Sequence, residues 1–230
     1  MTTKSLIIPA AGSGSRMQKE TPKPFLELSG ATILEHTVRQ FLSLDGLVQV
    51  VVATSDEYLS HANTILDKVL PEDVKGYSVS GGDERQDSIR NALAVLPDVD
   101  LVMIHDAVRP FVEAKRIVEC CKEAQRSGAA ILGVPAKDTI KRVDDSQFVE
   151  ETPDRNFLWQ AQTPQVFHKN VIVKAFEKAK RDRFSGTDDA SLVEYLGRKV
   201  RIVKGSQTNF KITYPLDLDI ARMLIEKKTG

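Results

Sequence analysis

Short apolar runs alternate with amphipathic stretches along most of the chain. Residues 6–8 (Leu-Ile-Ile) predict a strand, and Ile33, Leu34, Val38, Phe41 and Leu42 recur at helical spacing. Residues 48–53 read as a β-branched strand without a polar face, the pattern of a sheet covered on both sides. Tyr58, Leu59, Ala62, Ile65, Leu66 and Val69 make a second helix face. A brief strand at 77–79 precedes a helix carrying Ile89, Ala92, Leu93 and Leu96. A strand at 101–104, a helix over 117–124 and a strand at 129–134 continue the alternation. The fold class predicted is α/β, a mostly parallel, doubly wound sheet. No internal repeat or low-complexity linker interrupts residues 1–230, so the expectation is one domain.

The alternation breaks at residues 137–159. Residues 139–143 predict a strand, Asp144-Asp145-Ser146 a turn and 148–152 a returning strand. A hairpin with so little apolar content either stays loose on the surface or reaches another subunit. Beyond it the pattern predicts a helix over 171–179, a helix from Thr187 to Gly197, a strand at 200–203, a strand-like run at 210–213 and a terminal helix after Pro215. A capping role accounts for Thr187 at the start of its helix.

Composition narrows the partners. The 32 basic and 32 acidic residues balance, so the chain as a whole is not built to attract nucleic acid. No apolar run approaches a membrane span, and Met1-Thr2-Thr3-Lys4 carries no signal-peptide core. Cys120 and Cys121 are adjacent and match no metal or redox spacing, so they read as buried or idle thiols of a reducing cytoplasm.

The most informative chemistry follows the first strand. Pro9-Ala10-Ala11-Gly12-Ser13-Gly14 leaves little side chain, so backbone N–H groups can close on a polyanion. Arg16 and Lys23 add positive charge on either side, a combination suited to a nucleoside triphosphate at the mouth of the sheet. A dinucleotide fingerprint fails because Met17 stands where a third glycine is needed, and a P-loop fails because Ser15-Arg16 follows Gly14. The alternative is a strand-to-helix turn whose glycines serve geometry only.

Two further strand ends carry polar residues. In Gly81-Gly82-Asp83-Glu84-Arg85-Gln86-Asp87-Ser88, backbone groups and the Ser88 hydroxyl would read a nucleobase, while Asp83 is also a plausible helix N-cap. In His105-Asp106-Ala107-Val108-Arg109-Pro110, Asp106 would hold Mg²⁺ directly or through water, or bind a ribose hydroxyl. The bland reading is an Asp106–Arg109 pair bracing the loop, with His105 a structural hydrogen-bonding residue. Arg155, in the Asp154-Arg155-Asn156 run that closes the hairpin, and Lys211 carry weak signals by themselves.

Taken in order, these motifs resemble the 2-C-methyl-D-erythritol 4-phosphate cytidylyltransferases of the non-mevalonate isoprenoid pathway. The matches run from the Pro9 loop and Pro22-Lys23 through the Gly81 and His105 motifs to Lys137-Asp138-Thr139, Asp154-Arg155-Asn156, Thr163-Pro164-Gln165, Thr187-Asp188 and Lys211. Val108 stands for a usual Ala and Phe157 for a usual Gly. The resemblance implies a Rossmann-like fold of nucleotide-diphospho-sugar transferase type with an inserted β-hairpin dimerisation arm. It implies that CTP is the co-substrate, surrounded by Pro9, Ala10, Ala11, Gly12, Gly14, Gly82, Asp83, Ser88, Asp106 and Ala107. It assigns Arg16 and Lys23 to charge stabilisation at the α-phosphate, and Arg155 and Lys211 to the grip on the sugar phosphate. Arg109, Thr139 and Thr187 would line the same pocket with Asp106, which would also face Mg²⁺. A homodimer through residues 137–159 would donate Thr139 and Arg155 across the interface. The alternatives are a ribitol-5-phosphate cytidylyltransferase, typically opening with Ala-Gly-Gly, and a catalytically silent nucleotide-binding module.

Overall fold

The computed structural model describes residues 1–12 and 21–229, so Gly14 and Arg16 lie outside the described residues. The chain opens with β1 (Lys4–Pro9). A short ribbon of β2 (Glu27–Leu28) and β3 (Ala31–Thr32) leads into α1 (Ile33–Arg39), β4 (Leu47–Thr54) and α2 (Leu59–Val69). β5 (Lys75–Ser80), α3 (Arg85–Leu93), β6 (Leu101–Ile104), α4 (Ala114–Ser127) and β7 (Ala129–Pro135) follow. After β8 (Arg142–Val143) and β9 (Val149–Glu151) come β10 (Trp159–His168), α5 (Lys169–Asp182), α6 (Asp189–Tyr195), β11 (Arg201–Lys204) and α7 (Pro215–Thr229).

Among the described residues, seven strands form one sheet in the order β11-β7-β10-β6-β1-β4-β5. All neighbouring pairs are parallel except those of β10, which runs antiparallel to both β6 and β7. Period-two alternation sorts each strand's apolar residues into two layers. Leu6 and Ile8 of β1, Val50 and Val52 of β4, and Leu101 and Met103 of β6 face α1, α2 and α4. Ile7, Val51, Val102 and Phe167 face α3, α5 and α6. Both faces are therefore covered, as the unbroken apolar runs predict. Phe167 is fully buried in the second layer, where truncation to Ala costs about 3–5 kcal/mol. A third cluster, with Leu28, Ile33, Val108, Phe111, Ile212 and Leu218, packs α7 and the β2–β3 ribbon against the end of the sheet.

Several boundaries differ from the sequence reading. Helix α1 stops at Arg39, so Phe41 and Leu42 pack from the turn beyond it. α6 is capped by Asp188, whose side chain accepts from Ser191 N–H, and not by Thr187. The first residue before α3 is Glu84, with no side-chain cap, so Asp83 is not the N-cap. Residues 210–213 form no strand; Ile212 N–H alone bonds to Val108 O, at 2.9 Å. The hairpin pairs over fewer residues than 139–143 and 148–152, and Trp159 belongs to β10, where it pairs with Pro135. β8 and β9 form a separate ribbon whose Val143, Phe148 and Val149 are exposed, as is Phe157 beyond it. No helix among the described residues is long and apolar enough to cross a membrane.

Candidate active site

From β1 the chain passes to β4 and β5 on one side, then returns through β6 to the other side of β1. Such a reversal leaves a crevice at the carboxyl ends of the strands. Backbone bonds fix its floor: Ala10 N–H to Ala53 O (2.7 Å), Gly81 N–H to Thr54 O (2.7 Å) and His105 N–H to Ile7 O (2.9 Å). The crevice is a cleft of about 310 Å³. Its walls are residues 9–12 at the end of β1, residues 82–85 and Ser88 around the start of α3, residues 106–108 after β6, and Lys23, Pro24 and Lys211. A Cβ on Gly81 would run into Ala11, and one on Gly82 into Asp87. Only glycine lets this loop lie so close to both.

Asp106 is the electrostatic centre. Its Oδ2 lies 3.1 Å from Arg109 Nε and 3.3 Å from Lys211 Nζ, and its Oδ1 lies 3.5 Å from Arg85 Nη2. Burial opposes its charge, yet Lys211, Arg85 and Arg109 hold the carboxyl well below the usual carboxylate range. It is therefore an anion at any working pH. Arg85 makes its shorter contact, 2.9 Å, to Asp189 at the start of α6. Lys23, in a tight turn over Lys23–Phe25, is buried and donates to Thr213 O at 3.0 Å.

A hydrogen-bonded chain holds Asp106 from behind. Asp106 N–H donates to Thr163 Oγ1 at 3.0 Å, and Thr163 Oγ1 lies 3.0 Å from His105 Nδ1. His105 Nε2 lies 3.0 Å from Arg109 O. A carbonyl only accepts, so Nε2 carries the proton and Nδ1 accepts from the Thr163 hydroxyl. Burial pushes the imidazole pKa down to about 4, which keeps it neutral.

The described members of the predicted nucleotide set line one cleft: Pro9, Ala10, Ala11, Gly12, Gly82, Asp83, Ser88, Asp106 and Ala107, with Lys23 and Lys211 beside them. Two placements sharpen the reading. The Ser88 hydroxyl accepts from Gly82 N–H (3.0 Å) and reaches Glu84 O (3.2 Å), so it shapes the loop. Arg109 does not line the cleft; between Asp106 Oδ2 and Asn209 O (2.7 Å) it braces the loop from below. Thr139, Arg155 and Thr187 are exposed and do not line this chain's cleft. Arg155 reaches only the Lys137 carbonyl, at 3.2 Å. Sequence reasoning missed Arg85, Asp189 and Thr163. Arg85 stood in a quoted motif, but its partner lies 104 residues away, and no local spacing reveals that pairing.

No cluster of three or more His, Cys, Asp or Glu side chains converges on a metal position among the described residues. Asp106 Oδ1 accepts no hydrogen bond among them; its ion-pair contact is Arg85, at 3.5 Å. One open carboxylate oxygen fits a hard cation that draws its other ligands from phosphates and water. Chemically, the cleft offers small-residue backbone, two lysines and an anchored carboxylate, an arrangement for binding and polarising a polyphosphate.

The family model described as "IspD: 2-C-methyl-D-erythritol 4-phosphate cytidylyltransferase" matches residues 5–227. A 2-C-methyl-D-erythritol 4-phosphate cytidylyltransferase from Syntrophus aciditrophicus is 45% identical, over 97% of this chain and 96% of its own length. One from Caldanaerobacter subterraneus is 42% identical over 97% and 99%. Among solved structures, the 4-diphosphocytidyl-2C-methyl-D-erythritol synthase of Anaerococcus prevotii superposes with a TM-score of 0.86 at 32% identity, covering 98% of this chain and 96% of that one.

Proposed function

The chain belongs to the 2-C-methyl-D-erythritol 4-phosphate cytidylyltransferase family, and from that premise we propose the reaction and the residues that perform it. The enzyme joins CTP and 2-C-methyl-D-erythritol 4-phosphate into 4-diphosphocytidyl-2-C-methyl-D-erythritol and releases pyrophosphate. The observation that carries this reading is the cleft itself. A backbone loop of small residues faces Lys23, Lys211 and the anchored Asp106 at the switch point of the sheet.

In the reaction, an oxygen of the sugar phosphate attacks the α-phosphorus in line. A P–O bond forms there, the bond to the β-phosphate breaks, and the electron pair leaves with pyrophosphate. The nucleophile is already an anion, so no side chain need remove a proton. Catalysis is then positioning and charge stabilisation. Backbone N–H groups of the small-residue loop beyond Ala10 receive the phosphates, and Lys23 and Arg16 offset charge growing on the α-phosphate. The 81–88 loop takes the cytosine, and Asp106 the ribose. Lys211 grips the sugar phosphate, with Arg155 and Thr139 reaching the site from the arm of a second subunit and Thr187 completing it. The exposed Val143, Phe148 and Val149 support such a homodimer, because an isolated ribbon of this size is not stable in water. Asp106 Oδ1 would hold Mg²⁺, which when bound offsets triphosphate charge. The setting is the cytoplasm, which suits the buried, unpaired thiols of Cys120 and Cys121.

The deciding experiment measures pyrophosphate release from CTP with 2-C-methyl-D-erythritol 4-phosphate and, separately, with ribitol 5-phosphate. Turnover of the first alone is expected. Preference for the second would reassign the substrate, and release with neither would leave a nucleotide-binding module.

A further inference from the structure

Asp189 does not line the cleft, yet its carboxylate is buried, only 2% exposed, against a cationic group that does. Arg85 Nη2 sits 2.9 Å from Asp189 Oδ2 and 3.5 Å from Asp106 Oδ1, so one guanidinium nitrogen spans an anion outside the cleft and the anion at its centre. The residues on either side of Asp189 are held to the sheet. Gln165 of β10 donates to Asp188 Oδ2 at 2.7 Å and accepts from Ala190 N–H at 2.9 Å, clamping the start of α6 to the sheet. A second tie lies alongside: Gln86 donates to Phe184 O (3.1 Å) and accepts from Gly186 N–H (3.2 Å). Successive residues at the start of α3 are thus fastened to the first residue of α6 and to the segment before it.

A buried ion pair is weak evidence for stability, because its desolvation offsets its attraction, and apolar side chains would hold two helices together as well. What the pair does supply is direction. Without Asp189, the remaining ion-pair partner of Arg85 is Asp106, and the guanidinium would close onto Oδ1, the oxygen that accepts no hydrogen bond.

We infer that Asp189 is a positioning residue for the nucleotide: by holding Arg85 back, it keeps the 81–88 loop open and Asp106 available. This rests on the nucleotidyl-transfer reading of the cleft. Asn at 189 keeps the shape and loses the charge. Lys at 85 keeps a charge but lacks the planar, rigidly directed guanidinium whose Nη2 lies between the two carboxylates.

The test measures CTP affinity by calorimetry and steady-state pyrophosphate release on the full chain. Asp189→Asn is expected to weaken CTP binding and raise the CTP KM by about tenfold or more, the scale of one charge-assisted hydrogen bond. The KM of the sugar phosphate at saturating CTP stays nearly unchanged, which a general loosening of the fold would not allow. Arg85→Lys gives the same defect, and the Asp189→Asn/Arg85→Lys pair is no worse than either alone, because both act through one contact. Unchanged CTP affinity in Asp189→Asn, or defects that multiply in the pair, overturns the inference. If Asp189→Asn does not fold, Arg85→Lys decides it by the same CTP measurement. A wild-type chain that binds CTP but does not turn over the sugar phosphate would sink the assigned reaction and leave this inference standing.

Discussion

Acid should unfold this protein through His105, and the effect can be isolated. The ring is buried, stacked edge-on against Phe41 at 4.9 Å, and neutral, with a pKa lowered from 6.5 to about 4. In the unfolded chain it takes a proton as pH falls through 6.5; in the folded chain it does so only near 4. Between those values the unfolded state binds more protons, so stability falls as pH drops and is fully present above the window. Each unit of separation corresponds to about 1.4 kcal/mol, so the gap amounts to roughly 3 kcal/mol. That is a large share of the ~5–15 kcal/mol by which domains are stable. Geometry gives the same sign. A proton on Nδ1 would take the place of the one Thr163 donates, and the Thr163 hydroxyl also receives Asp106 N–H. The perturbation is His105→Gln, whose amide can still donate to Arg109 O. Urea unfolding of both proteins across the window should show the wild-type advantage shrinking toward acid by about 3 kcal/mol. A difference that stays constant, or grows on acidification, refutes both the neutral tautomer and the chain built on it.

Four other outcomes are expected. Lys23→Ala should lower kcat by about 10²–10³, the cost of one preorganised charge donor, with the CTP KM changed less; near-normal kcat in steady-state assays contradicts its role. CTP should outcompete UTP clearly, since each polar group left unpaired in the base pocket costs about 1–3 kcal/mol, and equal turnover of UTP would remove the 81–88 loop from base reading. Activity should vanish in excess chelator and return with Mg²⁺; full turnover in chelator excludes the metal from the reaction. Mixing Lys23→Ala with Arg155→Ala should restore activity, up to about half the sites of each mixed dimer being intact, whereas self-contained subunits would show no recovery.

The parallel half of the fold was legible because its physics is local. Strands buried on both faces read as unbroken apolar runs, and residues 48–53 and 101–104 fall within or on β4 and β6. β10 was not legible. It is the longest of the sheet's strands at ten residues, yet its sequence, Trp-Gln-Ala-Gln-Thr-Pro-Gln-Val-Phe-His, alternates poorly and carries a proline. Proline cannot donate to the ladder and normally argues against an interior strand. Here the pairing with β7 shifts register between Gln162 and Gln165, so Pro164 stands where a donor is not needed. The polar side chains have partners too: Gln162 reaches Ser206 O, and Gln165 clamps α6. Each partner is distant in sequence, so the run reads as loop until the tertiary neighbours are known.

The same division runs through the site. Strand-end loops with small residues announce themselves, because a backbone can approach a phosphate only where side chains are absent. The charges that give such a loop its chemistry do not. Asp106 sits beside Arg109 in sequence, and that pair alone supports nothing more than a brace. Lys211 and Arg85 turn the brace into a centre, and they arrive from α3 and from the segment before α7. Three cations around one carboxylate hold Asp106 as an anion in a fixed place. Asp189 draws on one of the three, Arg85, from outside the cleft. The balance between the cations that hold Asp106 and the anion that restrains one of them is fixed by β10, the strand the pattern hid. Gln165 and Thr163, two residues apart on it, reach the start of α6 and the Asp106 backbone respectively. An antiparallel strand placed beside β6 thus sets both the position of the central anion and the reach of the cation over it.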